Sequence, residues 1–121
     1  MPRQPESAQR ARQLVGAALH SWGLGNLAED GVLVVSELVT NAVQHGQYTS
    51  LRVRVSRPAP NRVRLAVADR SRKVPIRREP TDEAEAERGL VLVSHVADRW
   101  GTDLRRWGKI VWAELSTGKS T

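Results

Sequence analysis

The sequence has no cysteine and no phenylalanine, one methionine, one tyrosine and four tryptophans. Without cysteine there is no disulfide, no thiolate nucleophile and no thiolate-bound metal. Without phenylalanine, and with a single tyrosine, no strand carries the aromatic motif of an RNA-binding sheet. No apolar run approaches the roughly 18 residues that a membrane span needs. The opening Met1-Pro2-Arg3-Gln4-Pro5-Glu6 has no apolar core of the kind a secretory signal requires. These absences lead to the expectation of a cytoplasmic protein with no membrane partner.

What is present fits a folded chain. Its 121 residues, 40% hydrophobic and 26% charged, suggest one domain over 1–121, with loose ends at 1–6 and 116–121. The net charge of +6 invites a nucleic-acid reading. The basic residues, however, are scattered over strands and loops, and no basic helix gathers them. Nucleic acid is therefore the least favoured partner class.

One stretch organises the rest: Val35-Ser36-Glu37-Leu38-Val39-Thr40-Asn41-Ala42-Val43-Gln44-His45-Gly46. Leu27, Val35, Leu38, Val39, Ala42 and Val43 recur at helical spacing and predict a helix from about Leu27 to His45. Asn26 stands where an N-cap should, with Glu29 three residues on, and Gly46 stands where a C-cap glycine would. Glu37, Asn41 and His45 are spaced i, i+4, i+8 and share one edge. Spacing alone leaves two readings open: polar residues on a solvated edge, or a base and a metal ligand in a row.

Before this helix, Ala8, Ala11, Leu14, Val15, Ala18, Leu19 and Trp22 predict a first helix over 7–22, broken by Gly23 and Gly25. After it, Leu51, Val53 and Val55, then Val63, Leu65 and Val67, alternate with polar residues. They predict an antiparallel hairpin turning at Pro58-Ala59-Pro60-Asn61. The stretch from Arg70 to Arg88 has little to bury and reads as a long loop with an acidic end. Gly89 to Ala97 returns to helix, and a glycine there would let an anion approach free backbone N–H groups. Asp98–Leu104 and Ile110–Leu115 predict a closing hairpin that turns near Trp107-Gly108, with Trp100 and Trp112 in the core.

In this order the segments resemble the GHKL ATPase and kinase superfamily, which includes histidine-kinase catalytic domains and DNA gyrase. Within it the chain is most similar to the small stand-alone anti-sigma-factor serine kinases. Ser36 to Gly46 resembles the N box, and Val67-Ala68-Asp69 resembles the start of the first glycine box. Glu87-Arg88-Gly89-Leu90-Val91-Leu92-Val93 resembles the second glycine box, and Gly108 to Leu115 resembles the closing strand. The resemblance covers about residues 10–115.

It implies a two-layer α/β sandwich of the Bergerat type. The sheet would be mixed and mostly antiparallel, with helices on one face and an ATP lid over about 70–88. It implies ATP and Mg²⁺ as cofactors. Asn41 would bind the metal, Asp69 would accept a hydrogen bond from the adenine amino group, and Arg88, Gly89 and Leu90 would meet the phosphates. Glu37 would be the general base that activates a serine hydroxyl or water. The partners implied are a sigma factor and an anti-sigma antagonist protein. Oligomeric state does not carry over, because the first helix begins almost at once; a homodimer stays an open alternative.

Two departures stand out. Arg70-Ser71-Arg72 replaces the glycines expected after the aspartate. Lys109 and Ile110 stand where many members offer a threonine near adenine, so a water-mediated adenine contact is expected to be missing. The missing glycines after Asp69 motivate, as an alternative to the kinase, a non-catalytic module that senses ATP or binds only a protein.

Overall fold

The computed structural model describes residues 5–45, 51–70 and 91–117, with side chains from 7 to 42 in the first of these segments. The first helix, α1, spans Pro5–Ser21. Ala11, Val15 and Leu19, one per turn, are fully buried, while Leu14 at 43% exposure turns away from the core. The helix closes with the paired bonds of a Schellman motif, Leu24 N–H to Leu19 O at 2.8 Å and Gly23 N–H to His20 O at 3.1 Å.

The second helix is entered through a 3-10 turn, Gly25–Leu27, and runs from Ala28 to His45 as α2. The expected N-cap at Asn26 is not how the helix begins. Asn26 is the exposed middle residue of that turn, and the backbone N–H of Ala28 bonds to the Gly25 carbonyl instead. Glu29 and Asp30 lie in the first turn, where negative charge complements the helix dipole. Gly31, Val34, Val35, Leu38, Val39 and Ala42 are buried. This stripe is wide because α2 packs on α1 and on the sheet at once. Gly31 has a specific reason to be small. A Cβ there would come within 2.8 Å of Leu19 Cδ1, so the missing methyl is what lets the two helices approach.

Four strands follow: β1 Arg52–Ala59, β2 Arg62–Asp69, β3 Arg99–Arg105 and β4 Gly108–Ser116. Their order is β1-β2-β4-β3, and every pairing among the described residues is antiparallel. Both expected hairpins are present. The first turns at residues 60–61 and the second at 106–107. Period-two alternation sorts the sheet into two faces. Val63, Leu65 and Val67 of β2, with Val111, Ala113 and Leu115 of β4, are buried beneath the helices. Residues 91–96 form a short helical stretch before β3, and its Val93 joins the same core.

The other face is unusual in its charge. Register places Arg52 and Arg54 of β1, Arg62 and Arg64 of β2, and Arg99 and Arg105 of β3 on it. Trp112 also lies on this face, which corrects the expectation that it is a core residue. Val111 and Ala113 take the inward positions on β4, so the residue between them must point outward. There the Arg64 guanidinium stacks 4.2 Å from the indole centroid. Trp100, by contrast, packs against the core as expected. Beside Trp112, Glu114 is only 3% exposed although it faces away from the helices. Arg62, Arg64 and Arg99 close over it at 3.1, 3.2 and 2.8 Å. Burial pushes its carboxyl up, but the hydrogen bonds from Arg99, Arg62 and Arg64 outweigh burial and hold it below 4.5.

Candidate functional site

The helix edge singled out in the sequence is half inside the protein. Glu37 is half-buried and makes no hydrogen bond or ion pair among the described residues. Asn41, one turn on, is 2% exposed, on the same helix as the buried Leu38 and Ala42. Neither its Oδ1 nor its Nδ2 has a hydrogen-bond partner among the described residues. An amide stripped of water and left unbonded costs about 1–3 kcal/mol. A leucine of similar shape would not carry that cost at a site this buried. The amide oxygen is also a hard donor of the kind Mg²⁺ selects, and Mg²⁺ takes few ligands from protein. No group of three or more His, Asp or Glu side chains gathers among the described residues. The Asn41 amide oxygen thus has the chemistry of one protein ligand to a magnesium ion. Ser36, next to Glu37, accepts a hydrogen bond from Arg12 of α1 at 3.2 Å, which ties this part of α2 to its neighbour.

Asp69 ends β2. The alternation that buries Val63, Leu65 and Val67 carries it to the same helix-facing side, where it is 3% exposed. Its cross-strand partner is Lys109. The Lys109 ammonium donates to Asp69 Oδ1 at 3.2 Å, and both side chains are 1% exposed. Gly108 makes this meeting possible. A Cβ at that position would fall on the Asp69 carbonyl oxygen, so only glycine allows β4 to begin this close to the end of β2.

The sequence reading noted Lys109 only as standing in place of a threonine and missed its ion pair with Asp69. The signal was there, since Lys109 shares parity with Val111, Ala113 and Leu115. What hid it is that lysine is almost never fully buried. The remaining expected residues, Arg88, Gly89 and Leu90, lie outside the described residues. So do Gly46, the His45 side chain and all of the 70–88 loop except Arg70.

Comparison with known proteins agrees with this architecture. The histidine kinase domain of the Erythrobacter litoralis EL346 blue-light activated histidine kinase superposes with a TM-score of 0.54 at 21% identity. The superposition covers 96% of this chain and 61% of that one, so this chain spans about three-fifths of the kinase domain it matches. At that identity the likeness concerns the fold. A search of curated proteins finds no match. The family model described as histidine kinase-like ATPase domain matches residues 1–115, nearly the whole sequence. An ATPase domain of this kind brings ATP binding with it as the coarse function, and no described helix is long and apolar enough to cross a membrane. The chain belongs to the histidine kinase-like ATPase domain family.

Proposed function

We propose that this protein is an ATP-dependent serine kinase of the anti-sigma type, which controls transcription by exchanging protein partners. The observation that carries the reading is the buried amide of Asn41, without a hydrogen-bond partner among the described residues, one helical turn from the half-buried carboxylate of Glu37. Asn41 would hold Mg²⁺, which neutralises phosphate charge when bound. Asp69 would accept from the adenine amino group, and Arg88, Gly89 and Leu90 would meet the phosphates. Glu37 takes the proton from a serine hydroxyl of the partner. The serine oxygen then bonds to the γ-phosphorus as the bond to the departing ADP breaks. A sigma factor and its anti-sigma antagonist are the partners this reading requires.

A second reading is favoured by the Lys109–Asp69 pair. Asp69 Oδ1 already receives a hydrogen bond from within the protein. On this reading the chain binds a protein partner without turning nucleotide over.

The test is thermal unfolding with and without Mg-ATP, followed by phosphotransfer to candidate antagonist proteins. On the kinase reading Mg-ATP raises the midpoint, and Glu37→Gln keeps that shift while losing phosphotransfer. Undiminished transfer in Glu37→Gln removes Glu37 from the role of base. No shift at millimolar Mg-ATP favours the second reading.

A further inference from the structure

Lys109 is the largest fully buried side chain among the described residues, and its charge lies against Asp69 deep in the helix-facing layer. Stability does not explain such a pair. Taking two charges out of water costs several kcal/mol per ion, and replacing a buried pair by apolar residues of similar volume is often neutral or stabilising. Chemistry gives a better account. A carboxylate offers about four acceptor sites and no donor, whereas an ammonium offers three donors and no acceptor. Fixed 3.2 Å apart on adjacent strands, the two groups present an acceptor beside a donor.

The edge of adenine offers the complement, an amino donor at N6 beside a ring acceptor at N1. We infer that Lys109 is a base-reading residue, its ammonium donating to adenine N1 while Asp69 accepts from N6. The inference rests on the ATP reading above and deepens it. The contact expected to be missing for want of a threonine is replaced by a direct, charge-assisted one. Guanine presents the reverse pattern, a carbonyl toward Asp69 and an N–H toward Lys109, and is rejected on both counts. Because the pair is 1% exposed, hydrogen bonds made to it are shielded from water. In such a setting a site that loses one polar partner discriminates strongly.

The test changes the ligand and leaves the protein intact. Dissociation constants of the wild-type chain are measured with Mg²⁺ for ATP, 1-deaza-ATP, 7-deaza-ATP and GTP. Removing N1 should weaken binding at least tenfold, as expected for a lost bond to a charged group. Removing N7, which lies off this edge, should leave binding within a factor of about two of ATP, well inside that tenfold margin. Lys109→Met should then bind ATP and 1-deaza-ATP alike. Equal affinity of the wild type for ATP and 1-deaza-ATP overturns the role of Lys109 and leaves ATP binding standing. Failure of the wild type to bind ATP at all overturns both.

Discussion

Asn41 places an amide in a buried position where it finds no hydrogen-bond partner among the described residues. A ligand that completes its bonding changes the balance between stability and function at that one position. Asn41→Leu removes the unbonded polar atoms and should stabilise the ligand-free protein by about 1–3 kcal/mol. Urea unfolding measures that gain, and the same variant should lose the Mg²⁺-dependent part of the ATP-induced shift. A destabilised Asn41→Leu protein would mean that the amide is satisfied in solution. Lys109 behaves in the opposite way. Lys109→Met leaves a buried carboxylate without its ion partner and should cost about 3–5 kcal/mol. Asp69→Leu combined with Lys109→Met should recover most of it, and a double-mutant cycle reads the coupling.

Much of this scale was legible in the sequence. The spacing of Glu37 and Asn41 predicted their shared edge, and the alternation of Val63, Leu65 and Val67 predicted the buried face that Asp69 extends. The satisfaction of each polar atom was not legible, because hydrogen bonding depends on which strands pair and in what register. Lys109 met Asp69 only once β4 was known to lie beside β2.

At the scale of elements, Glu114 joins three strands. It sits on β4, takes hydrogen bonds from Arg62 and Arg64 of β2, and takes another from Arg99 of β3. Its folded carboxyl titrates below 4.5, so the unfolded chain binds the proton more readily. The stability it contributes is therefore complete above pH 4.5 and is lost as pH falls through the lowered value. Unfolding free energy measured against pH should drop in that window, and Glu114→Gln should flatten this part of the drop. The two helices meet at Gly31, where Leu19 and Val15 leave no space for a methyl. Gly31→Val should cost about 1–3 kcal/mol by overpacking, despite the better helix propensity of valine over glycine. The sequence showed Gly31 only as a weak point in a helix; its packing role needed the neighbouring helix in place. Both helices and the first hairpin were legible from periodicity, and the closing hairpin was also expected. The entry to α2 was not, because a backbone turn replaced the side-chain cap.

For the whole molecule, ligand binding and folding are one equilibrium. Mg-ATP at 100 times its dissociation constant adds about 2.7 kcal/mol to stability. For a domain of this size that is on the order of 10 °C in the unfolding midpoint. A scan over Mg-ATP concentration should show the midpoint rising with the logarithm of ligand, and a flat line would end the nucleotide reading. The sheet that carries the site also has two outer rims among the described residues, β1 and β3. On β1 the register slips between Ser56 and Ala59, Pro58 offers no N–H, and Arg57 folds back to donate to the Pro60 carbonyl at 2.7 Å. A strand from another molecule thus finds a regular ladder along only the first half of that rim. The irregularity is a guard against end-on templating and fibre growth. Straightening it would give up that protection against self-association.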